Sequence, residues 1–404
     1  MENNSGITEN DVSVMIERIH ASPYMMVLSI TGGGTGAIGE ILRHGRGSAT
    51  LIEAIVPYHE NALKDLIGKE PDKYCSVETA RAMAMVAFRR ALEITETLKG
   101  IRTEDVIGIG ATCKLARAGE RGDRRHEIHF ASQSLLRTTA LSLTLVQDRA
   151  REEEEDMASK LLLCSIAKLC EVEDIKPDAF ISIPERQLLK EENASAGREV
   201  GQMLSGILMN KDRIYKKSSI VIQKEKGIPA GPRIIFAGSF NPFHKNHADM
   251  AKIAYEKYGS PVAFEISLAN VDKPPIDFIS LESRIHSLRT YMNEDFFGSI
   301  CLTDAPLFAE KAVLFPDSRF LVGYDTLNRI FNERYYREGE NRSSLLEHFR
   351  RCNIRFLIFH RQDVELSIEE DVLGICDIIP PDTYTDDGTS STELRRSGSL
   401  KGAC

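Results

Sequence analysis

Apolar and polar positions along the chain predict two α/β blocks separated by a more polar middle. The first block has apolar runs typical of strands at residues 25–28 and 106–109, and helical periodicity at residues 80–98 and 149–170. Since strands and helices both occur there, we expect an α/β layer domain.

In the second block, helical stretches separate short apolar runs, which lie at residues 234–237, 262–264, 320–322 and 354–359. This alternation predicts parallel strands with crossover helices, because a tight turn cannot join a parallel pair. A Gly- and Pro-rich break at residues 227–232 precedes the block. We therefore predict a first domain, a connecting segment and a second domain, over residues 1–172, 173–230 and 231–404.

Composition narrows the class of protein. The 404 residues suffice for two domains with separate cores, and 42% hydrophobic with 27% charged residues is typical of globular proteins. The net charge of −9 disfavours a nucleic-acid partner.

No run of the sequence approaches the roughly 18 apolar residues of a membrane span. The polar first residues lack a secretory signal, and the eight cysteines form no zinc-type cluster. We expect a cytoplasmic protein without a membrane partner or a metal site.

Five consecutive acidic residues, 152–156, begin the second predicted helix of the first block. Acidic side chains near a helix N-terminus are favoured by the helix dipole. We therefore expect a solvated helix start there.

A decapeptide in the second block, GSFNPFHKNH over residues 238–247, carries the strongest chemical signal. It follows a predicted strand and opens a helix, where free backbone N–H groups and the helix dipole attract anions. Two imidazoles three residues apart, His244 and His247, lie at this helix entrance. The pattern predicts a phosphate site whose loop consists of Gly238, Ser239 and Phe240.

Two later segments supply further polar groups. Asp325 follows Gly323 at the carboxyl end of a predicted parallel strand, where such sheets bind ligands. Asp325 is also a candidate N-cap for the next helix, and that alternative stays open. Ser390 and Glu393 fit a capping box, although hydroxyl groups followed by a cation also suit a polyphosphate. The candidate phosphate ligands here are Ser390, Ser391, Thr392 and Arg395.

Together these pieces resemble the HxGH nucleotidyltransferase superfamily, specifically its nicotinamide/nicotinate mononucleotide adenylyltransferase branch. The resemblance runs from about residue 233 to the end of the chain and includes GSFNPFH, NVDKPP, GYD and SSTELR. It implies a Rossmann-like domain that transfers AMP from ATP to nicotinamide or nicotinate mononucleotide and releases pyrophosphate. It also implies Mg²⁺ as the ion that accompanies ATP.

The resemblance implies roles for individual residues. His247 falls on the position that contacts the α-phosphate, and His244 on a position that contacts the ATP phosphates. Lys273 is a candidate clamp between the two substrates, and the residues of SSTELR would hold the β/γ end. Because the attacking phosphate is largely ionised, with a second pKa of roughly 6, catalysis needs positioning rather than a strong base.

Two departures from the family pattern bear on the substrate. Asn246 stands where the family has glycine; asparagine tolerates left-handed backbone angles, so we expect the turn to persist with a more crowded nucleotide site. The chain also has no tryptophan, on which several members stack the nicotinamide. The candidate replacements are Phe278, Phe308 and Tyr324. CTP with a phospho-alcohol, ATP with phosphopantetheine, and a nucleotide sensor without turnover therefore stay open.

A glycine-rich run, SITGGGTGAIG over residues 29–39, follows the first predicted strand. It fits the dinucleotide fingerprint GxGxxG, which is a weak signal by itself. The glycine-rich run, taken together with later positions within residues 20–170, also resembles the C-terminal domain of CinA, a nicotinamide-mononucleotide amidase. That resemblance places the nucleophile on Ser29 and an active-site tyrosine on Tyr58, with the neighbouring loop on Thr31, Gly32 and Gly33.

The first block departs from this second family as well. The family's activating lysine falls on Leu63, and a serine hydroxyl needs a neighbouring base in order to attack an amide. A basic stretch replaces the family's Gly/Pro-rich loop, with Arg117, Arg121, Arg124 and Arg125. We expect a nucleotide-binding or regulatory domain for an anionic ligand rather than an active amidase; a solvated basic loop is the alternative. The expected partners are ATP and a small phosphorylated acceptor, and homo-oligomer formation is left open.

Overall fold

The computed structural model is an α/β protein, and it describes residues 9–117, 124–146, 149–172, 176–209, 218–224, 233–271, 273–336, 339–360, 366–380, 382–384, 391 and 394. The chain divides into two compact units, Met1–Lys211 with Asp272–Ile279, and Asp212–Val271 with Ser280–Cys404. Within the described residues, no helix combines the length and the hydropathy that a membrane span requires.

A mixed six-stranded sheet forms the centre of the first unit. Its strands are β1 (Met25–Thr31), β2 (Leu51–Ile55), β3 (Val106–Lys114), β4 (Glu127–Gln133), β5 (Arg137–Thr144) and β6 (Lys190–Ser195). The spatial order is β2-β1-β3-β4-β5-β6. Strand β1 pairs in parallel with β2 and β3, whereas the pairs from β3 to β6 are antiparallel.

Helices cover both faces of this sheet. They are α1 (Glu9–Ala21), α2 (Gly36–Arg43), α3 (Glu60–Ile67), α4 (Val77–Thr95), α5 (Arg151–Leu169), α6 (Ile183–Arg186) and α7 (Arg198–Met209). A core cluster joins the sheet to α1, α2 and α5. Helix α4 packs on the opposite face, where a Cβ at Gly108 would lie 2.0 Å from the backbone nitrogen of Phe88. Glycine in β3 therefore permits the close approach of α4.

The second unit contains a seven-stranded sheet. Its strands are β7 (Ser219–Lys224), β8 (Arg233–Ala237), β9 (Val262–Ser267), β10 (Phe297–Thr303), β11 (Ser318–Gly323), β12 (Arg355–Phe359) and β13 (Cys376–Ile378). The spatial order is β13-β12-β11-β8-β9-β10-β7. All adjacent pairs are parallel except β7 with β10. The helices are α8 (Lys245–Tyr258), α9 (Phe278–Arg289), α10 (Phe308–Leu314), α11 (Tyr324–Ile330), α12 (Arg342–Arg351) and α13 (Glu370–Leu373). The first two residues of α9 group with the first unit.

The direction of strand addition reverses beside β8. The chain proceeds from β8 to β9 and β10 on one side, and it adds β11, β12 and β13 on the other side. Open α/β sheets bind ligands at the carboxyl ends of strands where this reversal occurs. Strands β8 and β11 are adjacent and parallel, with Phe236 opposite Leu321. Gly238 lies two residues after Phe236, and Gly323 lies two residues after Leu321. The chain therefore leaves β8 and β11 at the same level of the sheet.

The predicted α/β class with two domains is confirmed, and the predicted strands and helices are present within a few residues of their expected positions. The alternation of apolar and polar residues over 215–222 predicts a strand in the middle of the chain, and β7 overlaps this range. The segment 173–230 contains β6, which extends the first sheet, and β7, which extends the second. Most side chains of β6 are polar and exposed at a sheet edge, so the apolar pattern carried no signal for this strand.

Candidate functional site

The loop after β8 is held closely against the sheet. The Gly238 N–H donates a hydrogen bond to the carbonyl of Glu265 in β9, at 3.1 Å. Phe240 adopts a left-handed φ of 43° and is 1% exposed. A Cβ at Gly238 would lie 2.6 Å from the Phe240 ring, so only glycine fits beside this ring. Phe240 therefore supports the loop from the core, while the exposed Ser239 lies towards solvent.

A buried ion pair in the same unit involves the strand that this loop contacts. The Glu265 carboxylate accepts a hydrogen bond from Lys311 Nζ at 2.7 Å, and both side chains are buried. Thr303 Oγ1 donates to the same carboxylate. We did not identify these residues from the sequence, although a glutamate inside the apolar strand VAFEIS was an available signal.

The two histidines contact each other at the start of α8. The His244 backbone N–H donates a hydrogen bond to Nδ1 of His247 at 3.3 Å, and the ring centroids are 3.8 Å apart. Phe243 stacks on His247 at 5.3 Å between centroids, and Phe236 and Phe240 present their edges to it at 5.7 and 5.5 Å. The imidazole of His247 is thus fixed by aromatic rings and a backbone donor.

This environment keeps His247 uncharged. Burial, with a smaller contribution from the nearby His244, lowers the pKa of His247 from 6.5 to about 3. A neutral imidazole has a single N–H, and Nδ1 accepts the bond from His244. The proton of His247 is therefore on Nε2, so the ring presents a neutral hydrogen-bond donor rather than a cation.

Asn246 lies in the first turn of α8 and is 3% exposed. It is not among the residues with positive φ, so the left-handed angle that we considered for this position is not required. The helix accommodates asparagine without backbone strain, and any effect of the missing glycine would arise from side-chain volume.

The third predicted segment reaches the decapeptide loop. Ser391 Oγ donates a hydrogen bond to the Pro242 carbonyl at 3.0 Å, across 149 residues of sequence. The Asn241–Pro242 peptide bond is cis. The other predicted ligands of this segment, Ser390, Thr392 and Arg395, lie outside the described residues.

The second predicted segment ends β11 in the same sheet. Helix α11 begins at Tyr324 with Gly323 as its N-cap, so the alternative of Asp325 as the cap is wrong. Asp325 is exposed in the first helical turn, and a Cβ at Gly323 would meet no atom within 4 Å. Asp325 is therefore not the cap of this helix, and it is exposed in the first turn after β11.

The three aromatic residues considered as replacements for tryptophan differ in how much of the ring is exposed for stacking on a substrate. Phe278 is buried, and its backbone N–H donates to Thr138 Oγ1 inside the first unit. Phe308 is partly buried and packs against the core residue Phe320 at 5.4 Å. Tyr324, which donates through its hydroxyl to the Ser367 carbonyl at 3.0 Å, is also partly buried and lies at the end of β11. Burial therefore removes Phe278 from the three candidates and leaves Phe308 and Tyr324.

Lys273 lies in the loop between β9 and α9 and is exposed. This loop belongs to the segment Asp272–Ile279, which groups with the first unit. A role for Lys273 between two substrates stays a prediction.

In the first unit, the predicted nucleophile is enclosed. Ser29 lies in β1 and is buried, and its hydroxyl has no hydrogen-bond partner among the described residues. Thr31 Oγ1 donates to the Pro57 carbonyl at 3.1 Å, while Tyr58 is 69% exposed. Leu63, on which the family lysine falls, packs in a core cluster with Ile67 and Met83. No base contacts the serine in the described structure.

Packing explains the first two glycines of the glycine-rich run. Gly32 has a φ of 77°, and a Cβ there would lie 1.9 Å from the carbonyl oxygen of Cys113 in β3. A Cβ at Gly33 would lie 2.4 Å from the side chain of Leu115. Both glycines thus allow the loop to lie directly on the chain at and after the end of β3.

The rest of the glycine loop binds a carboxylate of the protein itself. Glu155 of α5 accepts hydrogen bonds from the Gly34 N–H at 2.9 Å, from Thr35 Oγ1 at 2.9 Å and from the Gly36 N–H at 3.3 Å. These are the donors that a phosphate at this helix entrance would use. The loop was predicted to suit an anionic ligand, and Glu155 occupies those donors.

The expectation of a solvated start for α5 is confirmed for the exposed Glu152, Glu153 and Asp156 and is wrong for Glu154 and Glu155. Glu154 is 0% exposed, accepts a hydrogen bond from the Ala116 N–H at 2.6 Å and contacts His126 Nδ1 at 2.7 Å. Arg151 donates to the Gly32 carbonyl at 2.8 Å. The charged residues at the start of α5 satisfy backbone groups of the loops after β1 and β3, which a sequence pattern cannot reveal.

The basic stretch is only partly described. Arg124 donates to the Leu115 carbonyl at 3.0 Å, whereas Arg117 and Arg125 are exposed and Arg121 lies outside the described residues.

A parallel sheet with a phosphate-type loop at its reversal point is characteristic of nucleotide-binding α/β proteins. Residues 235–397 match the family model described as Cytidylyltransferase-like. The matched range, which is less than half of the chain, includes the decapeptide and the SSTELR segment. The match supports nucleotidyltransferase activity in general.

Solved structures similar to part of the chain belong to the CinA superfamily. The competence-damaged protein (CinA) superfamily protein of Escherichia coli is 14% identical over 41% of this chain and 97% of its own, with a TM-score of 0.32. Competence/damage inducible protein CihA of Agrobacterium tumefaciens is 17% identical over 41% of this chain and 95% of its own, with a TM-score of 0.29. A CinA superfamily protein of Klebsiella pneumoniae is 10% identical over 41% of this chain and 99% of its own, with a TM-score of 0.31. At these TM-scores the likeness assigns no role to any residue. Curated protein sequences give no match.

Proposed function

We propose that the second unit transfers AMP from ATP to nicotinamide or nicotinate mononucleotide and releases pyrophosphate. The contact of Ser391 with the Pro242 carbonyl carries this proposal, because it joins the SSTELR segment to the histidine-bearing loop. The reversal of strand order beside β8 supports it, since this loop and the end of β11 then border one crevice.

The residues of the loop suit a reaction driven by positioning. The acceptor phosphate is already largely ionised, with a second pKa of roughly 6, so its attack on the α-phosphorus needs no strong base. His247, neutral and protonated at Nε2, would donate a hydrogen bond to a non-bridging α-phosphate oxygen as negative charge accumulates there. His244 would orient the ATP phosphates. The Ser391 hydroxyl, whose one proton is donated to the Pro242 carbonyl, would position Thr392 and Arg395 so that they hold the β/γ end.

Mg²⁺ would supply charge neutralisation on the ATP phosphates. This ion binds chiefly through phosphate oxygens and water in such sites and needs few protein ligands. The histidine, serine and glycine residues of the loop suit such a site, because they can bind phosphate oxygens and leave the ion to bind phosphate and water.

A panel of substrates tests the proposal. Purified full-length protein with Mg²⁺ is given ATP or CTP together with nicotinamide mononucleotide, nicotinate mononucleotide, phosphopantetheine or a phospho-alcohol, and pyrophosphate release is measured. We expect release with ATP and a pyridine mononucleotide, and a dinucleotide product by mass spectrometry. Release only with another acceptor would overturn the assignment of the acceptor.

The match to a cytidylyltransferase-like family favours a second candidate, transfer of CMP from CTP to a phosphorylated alcohol. The CTP arm of the same panel tests it. Nucleotide binding without release of pyrophosphate from any pair would instead indicate a sensor.

For the first unit we propose a binding or regulatory role rather than amidase activity. The support is the absence, among the described residues, of a base in contact with Ser29, and the core position of Leu63.

A further inference from the structure

We propose that Cys75, Glu127 and His129 form a binding site for a divalent transition metal of the zinc class in the first unit. A thiolate, an imidazole and a carboxylate are the three ligand types that zinc takes in proteins. In the structure, one ligand atom from each of the three residues lies within 4.8 Å of the other two. A metal with Zn–S near 2.3 Å and Zn–N near 2.0 Å needs about 3.6 Å between such atoms, so small side-chain movements suffice.

Regular elements position these ligands. Glu127 and His129 are two residues apart in β4 and therefore lie on one face of the sheet. Ala131, two residues further, packs in a cluster with Ala80 and Ala84 of α4, so this is the α4 face. Cys75 directly precedes Ser76, the N-cap of α4. The site thus joins the start of α4 to the start of β4.

The backbone around Cys75 is anchored independently of a metal. Thr112 Oγ1 in β3 donates to the Tyr74 carbonyl at 3.0 Å, and Thr79 Oγ1 donates to the Lys73 carbonyl at 2.6 Å. Cys75 Sγ lies 3.7 Å from the Thr112 carbonyl oxygen, over the β3–β4 pair. The thiol is therefore held in place before a metal arrives.

An outer contact orients the imidazole. His129 Nδ1 lies 2.9 Å from Ser142 Oγ, in the adjacent strand β5. Metal-ligating histidines usually engage their second nitrogen in such a contact, which fixes the ring. This arrangement leaves Nε2 of His129 as the ligand nitrogen.

The site offers three protein ligands of the kinds that zinc takes. Three protein ligands leave one tetrahedral position for water, which is the arrangement of catalytic rather than structural zinc sites.

The sequence did not reveal this site, because its ligands are 52 residues apart, from Cys75 to Glu127, and no cysteine pair marks them. Pairing of β3 with β4 and the packing of α4 bring them together.

Cobalt provides a direct test. Tag-free full-length protein is stripped with a chelator and titrated with Co²⁺, and the thiolate-to-cobalt charge-transfer absorption is followed before Zn²⁺ is added in competition. We expect a single equivalent of Co²⁺ to produce this band and Zn²⁺ to displace it. The Cys75→Ser variant should lose the band, and His129→Gln or Glu127→Gln should weaken binding by more than about tenfold.

Cys352→Ser is the matched control, because Cys352 is another partly buried free thiol, in the second unit. X-ray absorption of the zinc-loaded wild-type protein adds a measurement that requires no variant, and we expect one sulfur ligand at about 2.3 Å. A wild-type spectrum without sulfur, or a charge-transfer band that persists in Cys75→Ser, would overturn the proposal.

Discussion

The His244 backbone N–H donates to Nδ1 of His247 at 3.3 Å, and this single contact sets the tautomer of the His247 ring. With its pKa lowered to about 3, the ring is neutral at physiological pH and carries its proton on Nε2. A histidine at a phosphate site would ordinarily be regarded as a cation. In the proposed reaction, the neutral His247 would instead contribute a directed hydrogen bond from Nε2.

Substitution of His247 should therefore show dependence on the Nε2 donor. We expect His247→Ala to reduce pyrophosphate release by two or more orders of magnitude, because one transition-state donor contributes about 10²–10³ in turnover. His247→Gln places an amide near Nε2 and should retain more activity than His247→Asn, which places it near Nδ1. Steady-state kinetics on folded variants measure this order.

The exposed His286 of α9 provides the control, and His286→Ala should keep wild-type turnover. Equal activity of His247→Ala and wild type would exclude the assigned role, and a more active His247→Asn than His247→Gln would exclude the tautomer.

The lowered pKa of His247 also predicts a pH dependence of stability. The unfolded state binds more protons than the folded state between the folded pKa of about 3 and the ordinary value of 6.5. The free energy of unfolding should then rise with pH across this window, by at most about 1.4 kcal/mol per pH unit, and level off above it. Urea unfolding at a series of pH values compares wild type with His247→Gln, whose curve should be flatter. Parallel curves would contradict the prediction.

Loss of the Ser391 hydroxyl should separate the SSTELR segment from the decapeptide loop. Ser391→Ala removes the donor to the Pro242 carbonyl, a bond whose net contribution to stability is about 1 kcal/mol. We expect the KM for the nucleotide to rise about tenfold or turnover to fall similarly, with little change in melting temperature. The exposed Ser343 of α12 supplies the control variant Ser343→Ala. If Ser391→Ala matches that control in kinetics, the contact has no role in the reaction.

Removal of the Glu155 carboxylate should destabilise the first unit. Glu155→Ala leaves the donors of Gly34, Thr35 and Gly36 without their acceptor, which costs about 1–3 kcal/mol in the free energy of unfolding. Glu152→Ala, in the same helix turn but exposed, should have almost no effect. Chemical denaturation measures both. A similar loss in the two variants would mean that general helix electrostatics, and not the loop contact, explains the effect.

Incubation with nicotinamide mononucleotide should release no ammonia. Ser29 is buried in β1 without a base, and Leu63 supplies no amine. An enzyme-coupled ammonia assay on the wild type and on Ser29→Ala tests this expectation. Ammonia that appears with the wild type and disappears in Ser29→Ala would reverse it.

Local patterns in the sequence were sufficient for the α/β class, for most strands of the second sheet and for the loop that joins β8 to α8. Apolar runs such as residues 234–237 report burial directly, and a Gly-Ser turn before a helix has its chemistry in adjacent residues. The edge strand β6 escaped prediction because its exposed polar residues have no apolar pattern.

Contacts between distant segments were decided by the tertiary structure alone. The acidic run at the start of α5 looks solvated in sequence, yet Glu154 and Glu155 bind loops more than 30 and 110 residues away. Ser391 meets Pro242 only because the reversal of strand order beside β8 gathers several strand ends at one crevice. The sequence by itself determined which chemical groups were available. Packing decided which groups met and which were already bound, because hydrogen-bond donors and charges are satisfied by whatever the fold brings within reach.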